Sequence, residues 1–187
     1  MRKWKRVETA GGARFRSALD AHEAALLKNL VASMIGLLEE RESSSPQDEL
    51  EQITGMKTGN SEPPDNVTLQ RLLPDFSKPD AGEATDSLNA ALRSLHEPSI
   101  IDAKRVAAQQ LLDTLPNDGG KLELTEDVAN AWIAAVNDLR LALGTMLDIR
   151  PDGPDRLPDD HPMAPHLDVY QWLTVLQEYL VLALMGS

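Results

Sequence analysis

The sequence predicts a mostly α fold: a single-domain helical bundle with a small antiparallel sheet, made of an N-terminal hairpin and a short strand near 121–124. Three observations predict it. Apolar residues recur at helical spacing in several segments, most strongly from Thr125 to Ile149. Aromatic residues make up only 4% of the chain, so the core must consist mainly of Leu, Val, Ile, Ala and Met, which suits packed helices better than a β-sandwich. Strand signals are confined to the pieces around Gly11-Gly12 and to Lys121–Leu124. With 187 residues the chain has the length of one domain. A domain of that size buries about 70% of the surface of its unfolded chain and folds without disulfide or metal.

In chain order, residues 1–19 form a basic β-hairpin. Gly11-Gly12 separates Trp4-Lys5-Arg6-Val7 from Ala13-Arg14-Phe15-Arg16, and glycines suit the positive-φ conformations of a hairpin loop. Helix one covers 20–42. Asp20 caps it, Glu23 completes a capping box, and Leu26, Leu27, Leu30, Val31, Met34, Leu37 and Leu38 form its apolar stripe. Residues 43–65 read as a mobile loop region with a short helix near Pro46–Gly55, because Ser43-Ser44-Ser45-Pro46 ends helix one and Met56–Asp65 is rich in Gly, Pro, Asn and Ser. The segment 66–115 is helical. It holds a short helix at Leu69, Leu72 and Leu73, a helix over Gly82–Leu95 with Leu88, Leu92 and Leu95 inward, and another starting near Pro98 and running to Leu115 with Ile101, Ala108, Leu111, Leu112 and Leu115 buried. A strand and the signature helix fill 121–149. Thr125 caps that helix, Glu126 and Asp127 favour its positive end, and Trp132, Val136, Leu139, Leu143 and Leu147 form its stripe. A Pro- and Asp-rich loop spans 150–165, and the terminal helix 166–185 buries Leu167, Tyr170, Leu173, Leu176, Leu180 and Leu184.

Charge is unevenly placed. The net charge is −12, yet Arg2, Lys3, Lys5, Arg6, Arg14 and Arg16 stand against the single Glu8 in the first sixteen residues. That segment carries +5 and the remainder −17. An acidic body repels nucleic acid and anionic membrane at long range, while a basic arm can still touch phosphates locally or pair with the protein's own acids. Met1–Arg6 is not followed by an apolar run, so no secretory signal is expected. The stretch Leu173–Met185 is too short and too interrupted, by Gln177 and Glu178, to span a bilayer, and no membrane association is expected.

Several chemistries are excluded or disfavoured. Without a cysteine there is no thiol catalysis, thiolate zinc site or disulfide switch. No nucleophile elbow, phosphate loop or dinucleotide fingerprint occurs, so no catalytic residue, cofactor or metal is expected. His161 and His166, with Asp159, Asp160 and Asp168, lack metal-site spacing and read as a solvated acidic loop. His22 and His96 stand alone, and Asn66-Val67-Thr68 matches a glycosylation sequon only by pattern. The best polar candidates are Asn137, Asp138 and Arg140 on the signature helix. Residues 138 and 140 point about 200° apart, so each needs partners elsewhere, with Gln171, Gln177 and Glu178 on the terminal helix as candidates. The bland reading is a network that sets helix register.

Taken together, Trp132, the run Asn137-Asp138-Leu139-Arg140-Leu141-Ala142-Leu143-Gly144, and Tyr170-Gln171-Trp172-Leu173 make the chain resemble an actinobacterial domain-of-unknown-function family. The basic Trp-containing start and Leu72-Leu73-Pro74-Asp75 fit the same pattern, so the resemblance covers nearly the whole chain. Members of that family are described as AosR-type oxidative-stress transcriptional regulators. The resemblance implies a cytoplasmic, non-enzymatic regulator acting through a protein partner of the transcription machinery. A thiol switch is absent from this member, which has no cysteine. Alternatives are direct DNA binding through Arg2, Lys3, Lys5, Arg6, Arg14 and Arg16, or an adaptor role unrelated to transcription. Apolar surface on the terminal helix suggests a homodimer.

Overall fold

The computed structural model describes residues 3–45, 58–77, 83–149 and 160–186. Arg2, the helix expected near Pro46–Gly55 and most of the 150–165 loop lie outside these residues. The sheet is antiparallel in the order β1-β2-β3, with β1 Lys5–Thr9, β2 Gly12–Leu19 and β3 Gly120–Leu124. Thr9 pairs with Gly12, so Ala10 and Gly11 are the two loop residues, and Gly12 takes φ 94° beside them. Strand alternation puts Phe15, Leu19, Leu122 and Leu124 on the helix-facing side, where all four are buried. Gly119 is needed where the chain enters β3. Its φ is 76°, and a Cβ there would lie 2.6 Å from the backbone of Asp20 and Ala21.

Helix α1, Ala21–Ser43, starts at the expected capping box: Glu23 N donates to Asp20 Oδ1 at 2.8 Å, and Asp20 N donates to Glu23 Oε2 at 2.9 Å. Its buried stripe is Ala24, Leu27, Val31, Met34 and Leu38. The short helix α2, Val67–Leu72, is capped by Asn66, whose Oδ1 accepts from Thr68 N and Leu69 N. Leu69, Leu72 and Leu73 are buried as the spacing predicts.

Helix α3 corrects the expected pair of helices: it runs unbroken from Glu83 to Thr114 with Pro98 inside it. A helix-interior proline leaves the carbonyl four residues back without its usual donor. Here that carbonyl, Ser94 O, accepts from Gly59 N at 2.7 Å. The approach requires glycine, since a Cβ on Gly59 would stand 2.8 Å from Pro98 Cδ. The connection between α1 and α2 therefore repairs the helix at the proline, a partnership no local pattern reveals. The facing of its first half is also corrected. Leu88 and Leu95 are 50% and 58% exposed, while Asn89, Arg93 and Glu97 are buried.

Helix α4, Glu126–Met146, begins at the Thr125 cap. Trp132 is fully buried at its centre, with Trp4 packed edge-on at 5.6 Å and Thr114 Oγ1 accepting from its indole N–H at 2.8 Å. Val136, Leu139 and Leu143 continue the buried stripe, whereas Leu147 is only half-buried at the helix end. Helix α5, Ala164–Met185, packs Leu167, Leu173, Leu176, Leu180 and Ala183 inward; Tyr170 and Leu184, expected inside, are half-buried. Each well-buried large apolar side chain contributes ~1.5–3 kcal/mol of transfer free energy, so α4 is the axis of the core.

Candidate functional site: the signature helix and the basic sheet face

Asp138 and Arg140 are sent to opposite neighbours by the helical rotation between them. Asp138 faces α3, where its Oδ1 accepts from Lys104 Nζ at 2.7 Å. It is 5% exposed. Burial pushes its carboxyl above the ordinary 3.8, with the Lys104 hydrogen bond and charge opposing the rise. Arg140 faces α5. Its Nε donates to Thr174 Oγ1 at 3.0 Å, its Nη1 to Gln177 Oε1 at 2.6 Å, and the guanidinium lies 5.4 Å from the Tyr170 ring centre. Gln177 Nε2 in turn donates to Ile133 O at 3.3 Å. Asn137 is half-buried, while Gln171 and Glu178 are exposed. Of the three partners expected on the terminal helix, Gln177 takes the role, and Thr174 and Tyr170 take the rest. Lys104 lies 34 residues from Asp138, and no local signal points to it.

The basic N-terminal residues divide between two faces. Lys5 stands opposite Arg16, Val7 opposite Arg14 and Ala18 opposite Lys121, so Lys5, Arg14, Arg16 and Lys121 project from the side of the sheet away from the helices. Glu123 is on the same side and pairs with Arg16. Lys121 was not among the residues the sequence singled out; only strand pairing adds it to the group. Like charges directly opposite, as at Lys5 and Arg16, destabilise a sheet. Lys3, Lys5, Arg16 and Lys121 line one groove of 490 Å³ with Ser17, Ala18, Leu122 and Glu123. Lys3 Nζ also lies 5.2 Å from the Tyr179 ring centre.

Arg6 has the opposite parity. Its Nε pairs with Glu8 at 2.7 Å, and its Nη1 donates to Leu184 O at 3.2 Å. Arg14 Nη1 donates to Gly11 O and Ala13 O, each at 3.1 Å. Part of the basic arm is thus engaged by the protein itself, and Lys5 and Lys121 remain exposed.

His22, His96, His161 and His166 do not converge. His161 Nδ1 accepts from Met163 N at 3.1 Å near the start of α5, and His96 lies beside Phe76. Among the described residues no three metal-ligating side chains come together; Asp159 lies outside them.

Sequence reasoning missed a buried polar cluster. Glu97 accepts from Arg41 Nε at 2.7 Å on one oxygen and from Arg93 Nη1 at 2.7 Å on the other, and the three side chains are at most 9% exposed. Arg93 also donates to Leu73 O at 3.1 Å and Asp75 Oδ1 at 2.6 Å. Arg41 donates to Glu62 O. The i to i+4 spacing of Arg93 and Glu97 was a legible hint, but reading a helix break at Pro98 hid it.

The model of a domain of unknown function, DUF2017, matches residues 1–184. A Mycobacterium tuberculosis protein named oxidative stress regulator AosR is 69% identical over 195 residues, covering 100% of this chain and 89% of the relative. A Mycobacterium bovis protein of the same name matches with the same identity and coverage. No solved structure matches the chain.

Proposed function

The chain belongs to the DUF2017 family, and we propose that it is a regulator of the oxidative-stress response that acts on transcription through contacts with a partner protein rather than by catalysing a reaction. The observation that carries the reading is the 69% identity, along the whole chain, to proteins named oxidative stress regulators. Identity of that extent along the whole chain preserves the fold. The chain works in the cytoplasm in this reading. Among the described residues, no helix is long and apolar enough to cross a membrane. With no cysteine, the chain cannot sense an oxidant by its own thiol, so the signal reaches it through the partner or another chemistry. Exposed apolar residues offer contact surface, with Leu88 and Leu95 on α3 and Leu182 and Met185 on α5.

The test is co-purification of the tagged chain from its own host before and after peroxide, with and without nuclease. RNA polymerase or a sigma factor retained after nuclease is the expected result. Recovery only of proteins unrelated to transcription would replace the reading with an adaptor role. Retention of this chain by the α5 surface of a second copy is checked in the same preparation by light scattering.

A second reading, direct DNA binding, is favoured by one observation: Lys5, Arg14, Arg16 and Lys121 share the outer face of the sheet on an otherwise acidic protein. It requires affinity that falls steeply with salt and is lost on replacing Lys5 and Lys121 by Ala. Binding insensitive to either change would remove it.

A further inference from the structure

The arginines of the helical body are not treated alike. Arg41, Arg93 and Arg105 all meet carboxylates: Glu97 for the first, Asp75 and Glu97 for the second, Glu39 and Glu42 for the third. Arg71 and Arg140 meet none among the described residues. Arg140 is held instead by neutral groups, Thr174, Gln177 and the face of Tyr170, which orient its guanidinium without an ion pair. Both of these arginines line the same cavity. That cavity, of 370 Å³, lies between α2, the C-terminal end of α4 and α5, and falls in the size range of small-ligand sites. Leu141, Gly144 and Ile149 supply apolar lining beside Tyr170, and Asp148 also borders it.

We infer that this cavity binds a small phosphorylated ligand, its phosphoryl group held between Arg71 and Arg140. Guanidinium forks match phosphoryl oxygens in geometry and charge. One fork saturates a planar carboxylate, whereas a tetrahedral phosphoryl group presents three oxygens and accepts from two arginines approaching from different helices. Leu141, Ile149 and the Tyr170 ring then receive the organic part. Arg140 is the positioned cation, fixed by α5 before ligand arrives. Arg71, exposed at the last turn of α2, closes on the other side. The site stands apart from the basic groove of the sheet and does not rest on the regulatory reading.

The test is titration of the full ¹⁵N-labelled chain at constant ionic strength, first with inorganic phosphate and then with glycerol 3-phosphate. The expected result is saturable movement of the Leu141, Gly144 and Thr145 amide resonances, with the ester binding more tightly than free phosphate. Arg71→Ala leaves the fold intact and weakens binding by about tenfold or more, the loss expected for one charge-assisted contact. Lys121→Ala leaves the affinity unchanged. No saturable movement, movement confined to the strands, or an unaltered affinity in Arg71→Ala would overturn the assignment. Succinate binding as tightly as glycerol 3-phosphate would overturn its phosphoryl part.

Discussion

The first half of α3, up to Glu97, faces the protein with Asn89, Arg93 and Glu97, whereas the second half faces it with Ile101, Ala108 and Leu111. The two halves share one helix and one period but opposite chemistry. The second half lies against α4, the axis of the core, where burial of apolar area is the dominant gain. The first half lies against the 58–77 segment, whose helix α2 packs on α4 and which meets α3 with backbone donors and acceptors. Arg93 takes Leu73 O, Asn89 exchanges hydrogen bonds with Ser77 N and O, and Ser94 O takes Gly59 N. A helix therefore buries whichever face its neighbour can satisfy, and an irregular neighbour selects the polar one.

The sharpest ways to break this comparison remove the centre of each half. Trp132→Ala in the apolar region is expected to cost ~3–5 kcal/mol in denaturant unfolding. Glu97→Ala in the polar region should cost a similar ~3–5 kcal/mol, because it removes the carboxylate that Arg41 and Arg93 share and leaves Arg93 only the more exposed Asp75. If Glu97→Ala costs under ~1 kcal/mol, the polar half does not hold α3. Gly59→Ala comes next. Its added Cβ meets the Pro98 ring, and an overpacking cost of ~1–3 kcal/mol in the same measurement is expected. A thermal midpoint equal to the parent's would show that the segment is free to move off the proline.

The exposed stripe provides a smaller but more discriminating test. Leu88→Ser and Leu95→Ser should each change stability by less than ~0.5 kcal/mol, as for ordinary surface sites. A loss of 2 kcal/mol or more, roughly that of a large-to-small core change, would mean that these leucines are core residues after all.

The smallest effect concerns Asp138. Its folded carboxyl titrates above the ordinary 3.8 because burial disfavours the charge. The native state therefore holds the proton more tightly than the unfolded chain. That contribution is fully present below the ordinary value and lost as pH rises through the raised folded one. Asp138→Asn removes it, so the parent should lose thermal midpoint relative to this variant as pH rises from about 4. A difference between the two that is constant with pH would show that Lys104 neutralises the burial penalty.

Local signals were legible where a residue's role depends on its near neighbours. The capping box of Asp20 and Glu23, the Thr125 cap, the short helix before Pro74 and the buried stripe of α4 all follow from spacings within two turns. The facing of α3 was not legible, because Leu88, Leu92 and Leu95 form an apolar stripe at helical spacing. The candidate polar site was half legible. The spacing of Asp138 and Arg140 foretold that they diverge, and Gln177 was foreseen as a partner, but Lys104 and Lys121 were not.

By itself, the sequence determined the mostly helical class, the ends of most elements, the acidic charge and the absence of any thiol chemistry. Those properties follow from composition and from interactions across a few residues, whose energies are nearly the same in any fold. Tertiary structure alone decided which face of α3 is buried, how Pro98 is accommodated, and which cations are neutralised. Arg41 meets Glu97 across 56 residues and Lys104 meets Asp138 across 34. Such pairs are set by how helices and loops pack against one another, and a side chain's preference for a partner carries no information about which of many acids it will reach.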